Sequence, residues 1–406
     1  MTDIFPWQQP GCKFGRTWPI APASEVLTQR WERFAAAARE EKAELFVTAS
    51  SGRNTTTQVD GYRRLADVQR HEDPEPIVRY GYRSFDRQWV FNDPRLANLE
   101  RPSLWQSTSE RQVYLSSLLT GEIGTGPALT ASAYVPDLHF FRGSHGGKDM
   151  IPLWRDAAFS EPNLTEGLAV EIGRALGIDP PTVEEIGAYV YALLSTSAYQ
   201  ARFAEALRTP GLRVPITADA NLWAEVTAAG RRRLWLHTYA ERFRDPAAQQ
   251  GSHIPLIEGV EWEAPVTRMP MNSGEIEYDG DAMRLTIGDG VVVGVRPEVW
   301  AFEVSGMPAV SKWLGYRTRQ GAGRAASSSS ALDRIRPETW SDDWNDELLD
   351  LIRVLTLTLD EEPALADLLE RVCDGPLIEA DRLPTPSAPE RQPPATRPRA
   401  SAAAGG

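Results

Sequence analysis

The spacing of apolar residues changes in blocks along this chain, and that excludes a parallel sheet wound with alternating helices. Val183, Ile186, Val190 and Leu193 fall on one helical face, and Tyr199, Phe203 and Leu207 on the next, with a Ser195-Thr-Ser197 break between them. Asn221 to Phe243 reads as a longer helix containing Arg231-Arg-Arg233. From Gly259 to Ser305 the period drops to two, in short runs separated by Gly and Asp: Glu275–Tyr278, Met283–Ile287, Val291–Val295 and Val299–Val304. That pattern is an antiparallel meander. Helices and antiparallel strands in separate blocks define an α+β chain of mixed helices and antiparallel sheets.

The remaining segments fit this frame. Residues 1–22 are rich in Pro, Trp and Gly without periodicity and read as an extended N-terminal arm. Ser24 caps a helix running to about Glu41, and Glu44–Thr48 reads as a short strand. Ile77–Phe85 and Gln88–Phe91 read as two strands joined by a turn at Asp86-Arg87. Leu212–Ile216 is a short apolar strand. Leu348, Leu349, Ile352 and Leu355 mark one late helix, and Leu365, Leu368, Leu369 and Val372 another. Residues 383–406 are Pro, Ala, Arg and Ser, a composition that buries too little surface to fold and predicts a disordered tail. The body is then 23–382, with a subdomain division placed near 160–180.

Charge is unevenly distributed. The net charge is −13, but Pro337–Ala380 alone holds thirteen acidic residues against two arginines, which leaves the remainder near neutral. Ala309–Arg336 carries six cations against Asp333 alone. A local basic patch suits nucleic acid even on an acidic chain, because counterion release acts locally; a solvated charged face is the plain alternative. No apolar run spans a bilayer, and the first residues lack the features of a signal peptide. Cys12 and Cys373 lie at opposite ends and form no disulfide framework, so the expected compartment is the cytoplasm.

The segment Tyr134–Asp149 concentrates chemistry: two histidines, an arginine, a lysine, two carboxylates and three glycines between two apolar runs. It reads as a Gly-hinged polar loop between strands. Gly143-Ser-His-Gly-Gly-Lys-Asp149 is one residue short of a phosphate loop, and Asp149 replaces the hydroxyl that would bind magnesium. No other catalytic signature is present, so no catalytic residue is assigned. Asp137, His139, His145 and Asp149 offer the elements of a metal centre, but their spacing matches no strong template and no metal ligand is assigned.

Four segments have the character of a binding surface. Arg79, Arg83 and Arg87 are interleaved with Tyr80, Tyr82 and Trp89, as phosphate anchoring and base stacking require. His139, Arg142, His145 and Lys148 supply donors on the glycine-rich loop. Lys312, Arg317, Arg319 and Arg324 follow on a glycine-punctuated basic stretch, and Arg213 precedes a proline-bounded strand.

Taken in order, several motifs resemble the C-terminal specificity region of Type ISP restriction–modification enzymes. They are Phe5-Pro-Trp-Gln-Gln-Pro-Gly11, Arg16-Thr-Trp-Pro-Ile20, Tyr82-Arg-Ser-Phe-Asp-Arg87 and Pro136-Asp-Leu-His-Phe-Phe141. The series continues through Ala188–Leu194 with Tyr199, Arg213-Val-Pro215, Lys312-Trp-Leu-Gly-Tyr-Arg317 and Leu332-Asp-Arg-Ile-Arg-Pro337, so it covers roughly residues 4–385. The resemblance implies a target recognition domain that reads double-stranded DNA for an adenine methyltransferase and a helicase–nuclease motor carried elsewhere. S-adenosylmethionine, ATP and magnesium would serve those partner regions, with no cofactor on this chain. Base-reading arginines are expected among Arg83, Arg142, Arg317, Arg319 and Arg324. Phe5, Trp7 and Trp18 are expected as anchors of the arm on the partner. Two other readings are a stand-alone metal-dependent enzyme centred on residues 137–149 and a truncated remnant without function.

Overall fold

The computed structural model describes residues 1–47, 52–143, 149–320 and 330–397. The aromatic N-terminal segment has no periodicity of its own, and it gains order by adding short strands to sheets formed later in the chain. Gln9–Pro10 pairs with Asp149–Pro152, which continues to Tyr114–Ser117 and Thr130–Ser132 in a four-stranded antiparallel sheet. Ile20–Ala21 pairs with Asp86–Phe91, which pairs with Ile77–Arg83 in a three-stranded sheet. Three strands of the expected meander are present, Ile276–Asp279, Arg284–Ile287 and Gly290–Val293, and Glu261–Ala264 joins the sheet out of sequence order, antiparallel to Gly290–Val293.

Three apolar clusters hold these elements. One gathers the N-terminal aromatics Trp7, Phe14 and Trp18 with helix Ser24–Ala36 and the three-stranded sheet. A second packs the four-stranded sheet against helices Val183–Leu194 and Ala220–His237. That cluster draws residues from both sides of 160–180, where the sequence placed a subdomain division. A third joins the meander, helix Ala309–Tyr316 and the first half of the long helix Asp342–Asp374. No helix among the described residues is long and apolar enough to cross a membrane.

Local readings held where periodicity was long and failed where tertiary contacts overrode it. Helix Val183–Leu194 forms as the apolar spacing implies, and it starts at a capping box of Thr182 and Glu185 that the apolar spacing does not mark. Glu44–Phe46 is helical within Arg39–Phe46 rather than a strand, because Lys42, Leu45 and Phe46 share a buried face; Thr48 lies outside the described residues. Leu212–Ile216 forms no strand of its own; Ile216 accepts from the Ile378 amide through its carbonyl instead. Val299–Val304 divides into a helical turn, Pro297–Trp300, and a two-residue strand, Glu303–Val304. The two late helices are one, running straight through Pro363. Proline removes one helical hydrogen bond there. Asp360, Glu361 and Glu362, just before it, are held from outside by Arg296, Arg232 and Arg233 at 2.6–2.8 Å.

Part of the segment beyond residue 383 touches the body. Arg391 donates to Thr2 O and Asp3, and Arg155 donates to the carbonyls of Glu390 and Gln392. Glu390 accepts from the Glu166 amide, and Gln106 donates to Arg397 O. Residues 384–397 are therefore strapped to the body by surface hydrogen bonds rather than by core burial, a bond pattern that composition does not encode. Residues 398–406 lie outside the described residues.

One buried group makes stability depend on pH. His237 lies between the Tyr191 hydroxyl at 2.7 Å and Thr358 Oγ1 at 2.8 Å. Burial, reinforced by the Arg233 charge, holds its imidazole well below the ordinary value, so it stays neutral in the folded chain. The unfolded chain protonates this group near about pH 6.5. As pH falls through that value the unfolded state binds the extra proton, and stability drops by up to about 1.4 kcal/mol per pH unit from this group alone. His237→Gln is expected to flatten that decline in urea melts taken from about pH 7 to 5. A slope equal to that of the wild type would show that His237 does not carry it.

Candidate nucleic-acid interface

The basic hairpin is built differently from its alternating pattern. Arg83 pairs with Asp86, so the turn is Ser84–Phe85, with Phe85 in the left-handed region at φ 65°. A bulge at Tyr82 shifts the register between Gly81 and Arg83 and breaks the alternation that placed Arg79 and Arg83 on one face. Each arginine then meets a carboxylate brought from elsewhere in the chain.

Arg83 donates to Asp137 at 2.8 Å and stacks on Tyr82. Arg79 donates to Glu347 at 2.7 Å and lies over Trp89. Arg87 donates to Glu241 at 2.8 Å and lies over Tyr239. Arg317, expected among the base readers, has a side chain 0% exposed; it donates to Asp86 at 3.0 Å, faces Glu347 at 3.5 Å and stacks on Trp313. Burial alone would raise the Glu347 carboxyl, but the guanidiniums of Arg317, Arg79 and Arg87 outweigh it and hold Glu347 below its ordinary value. For Arg83 and Arg317 the expectation of an exposed DNA contact is corrected: both are internal struts. Arg79 and Arg87, with side chains 27% and 19% exposed, are committed to the same network.

The other candidates divide clearly. Arg213 is exposed, but its Nη1 donates to the carbonyls of Ala206, Thr209 and Gly211 and so ties down its own loop. His139 is half-buried, and its amide donates to Asp137. Arg142 is half-buried and reaches Ser305 Oγ at 3.4 Å. Lys312 and Arg319 are exposed, on and just after helix Ala309–Tyr316. That helix buries Val310, Trp313 and Leu314 and leaves Lys312 on its open face. His145, Lys148 and Arg324 lie outside the described residues. The structure thus brings the His139–Gly143 loop against the Ser305–Met307 turn that leads into the Lys312 helix.

Two further expectations change. Phe5, Trp7 and Trp18 are 0% exposed and pack inside the chain's own clusters, so they are not surface anchors for a partner; an aromatic arm without periodicity looks the same in sequence whether it covers its own core or another's. The metal reading loses Asp137, which accepts from Arg83, the Tyr80 hydroxyl and the His139 amide. Among the described residues no three potential ligands come together.

The model of the Type ISP C-terminal specificity domain matches residues 3–351. The chain belongs to that family. Among solved structures it is similar to the chain in a cryo-EM structure of a DrdV–DNA complex, at 16% identity and TM-score 0.58 over 90% of this chain. It is also similar to LlaBIII, an ATP-dependent Type ISP restriction–modification enzyme bound to DNA, at 15% identity and TM-score 0.59 over 90% of this chain. A nuclease-deletion mutant of the Type ISP enzyme LlaGI, in complex with a DNA substrate mimic, gives 16% identity and TM-score 0.52 over 91%. At such identities the likeness concerns the fold. This chain spans 36%, 24% and 28% of those chains, respectively. No curated protein matches the sequence.

Proposed function

We propose that this chain is the DNA sequence-recognition module of a Type ISP restriction–modification system, directing an adenine methyltransferase and a restriction motor carried elsewhere. The observation that carries the reading is the family match over residues 3–351, on a fold shared with enzymes whose structures hold DNA. The exposed cations Lys312 and Arg319, on and just after the helix that follows the Ser305–Met307 turn against the half-buried His139–Arg142 loop, supply the chemistry such a module needs. Cations of this kind position a duplex through its phosphates, while a bidentate arginine reads guanine in the major groove. S-adenosylmethionine, ATP and magnesium belong, in this reading, to the partner regions.

Lys312→Ala and Arg319→Ala test the surface directly, because both residues are exposed. Each removed phosphate contact is expected to lower the slope of log affinity against log salt by about one. Loss of preference at a single base position would instead mark a base reader. A double variant with unchanged affinity, slope and preference would remove this surface from the interface.

A further inference from the structure

A cleft of about 380 Å³ opens beside the end of helix Ala220–His237, lined by Arg111, Arg231, Arg242 and Arg244 with Glu110, Glu184, Glu241 and Phe243. One wall is set by an uncommon backbone. Tyr239, Ala240 and Phe243 all lie in the left-handed region, at φ 55°, 60° and 54°. Residues with a Cβ take such angles only when their surroundings impose them, and such strain gathers at functional sites. Here Arg242 provides the restraint: it donates to the carbonyls of Ser109, Gln112, Ala133 and Glu241 at 3.0–3.1 Å. The Tyr239 hydroxyl adds a bond to Phe85 O at 2.8 Å.

The charges sort into spent and unspent groups. Glu241 is taken by Arg87, and Glu184 by Arg111. Arg242 is saturated by carbonyls. Arg244 uses Nε on Ala240 O and keeps its terminal nitrogens; Arg231 lies over the Phe243 ring without an ion pair among the described residues. Of the three lining carboxylates, Glu110 alone has no ion pair among the described residues. Among the lining residues four guanidiniums face three carboxylates, an excess of one positive charge, and Glu241 is already neutralised from behind by Arg87.

We propose that this cleft seats a backbone phosphodiester of the DNA, gripped by Arg231 and Arg244. The inference rests on the DNA-recognition reading above and adds a contact point that the sequence did not single out. A phosphodiester brings one negative charge and acceptor oxygens in the geometry that guanidinium forks match. Behind the cleft, Arg242 holds Ala133 next to the start of the polar loop, and Arg87 links Glu241 to the buried Arg317 through its carbonyl.

The test uses the full chain, a labelled duplex and a salt series, comparing wild type with the Arg231→Ala/Arg244→Ala double variant and with Glu110→Gln. The double variant is expected to bind about tenfold or more weakly and to show a salt slope reduced by about one, with an unchanged unfolding midpoint. Glu110→Gln, which removes an unpaired carboxylate, is expected to bind more tightly; it keeps the inference testable if the double variant fails to fold. Wild type that binds DNA with the same affinity and slope as both variants overturns the cleft assignment alone. Wild type that binds no DNA removes the underlying reading as well. Inorganic phosphate that raises the unfolding midpoint of wild type but not of the double variant, with DNA binding unchanged, assigns the cleft to free phosphate and overturns the DNA assignment.

Discussion

Arg317→Ala is expected to destabilise the chain by about 3–5 kcal/mol, the usual cost of stranding buried carboxylates. The side chain is wholly buried, and its removal leaves Asp86, 3% exposed, without its cation and deprives Glu347 of one of its three neighbouring guanidiniums. It also empties the space against Trp313 and weakens the joint between the hairpin, helix Ala309–Tyr316 and helix Asp342–Asp374. Urea denaturation reads the effect as a lower midpoint. Arg317→Lys restores the charge but not the fork that reaches two carboxylates, so it is expected to recover only part of the loss. A variant that unfolds like wild type and is impaired only in DNA binding would return Arg317 to the interface.

Gly230→Ala is expected to cost about 3 kcal/mol or more, at the upper end for overpacking. Helices Val183–Leu194 and Ala220–His237 cross so closely at this point that a Cβ on Gly230 would stand 1.8 Å from Ala188 O and 2.5 Å from its carbon. The obstacle is backbone, so no side-chain rotation relieves it, and the helices must separate. That crossing orients the end of Ala220–His237, from which the Glu241–Arg244 wall departs. The same variant is therefore expected to weaken DNA binding if the cleft contributes. A change in midpoint worth less than about 1 kcal/mol would show that the crossing yields more readily than this geometry allows.

Much of the architecture was legible because it is local. The apolar face of Val183–Leu194 and the meander turns are written within a few residues of where they act. The candidate site was less legible because the fate of an arginine depends on distant carboxylates. Arg79 finds Glu347 across 268 residues, and Arg317 finds Asp86 across 231. The acidic segment that made the chain look unsuited to nucleic acid takes up arginines from all over the fold, among them Arg79, Arg296, Arg232, Arg233 and Arg202. Lys312 and Arg319 escape because helix Ala309–Tyr316 turns its apolar face inward and Lys312 outward. The convergence of Arg231 and Arg244 was invisible for another reason: it depends on the left-handed turn at Tyr239–Ala240, which no glycine marks.

The central claim is that this chain recognises a DNA sequence, and selection from random duplex DNA tests it most directly. The purified chain would be used at low and moderate salt, and the retained DNA sequenced. The account predicts enrichment of one short asymmetric motif that survives the higher salt. Retention without enrichment that vanishes steeply as salt rises, or no retention at either salt, would contradict it: the first would mean phosphate gripping alone, the second no DNA binding by this chain.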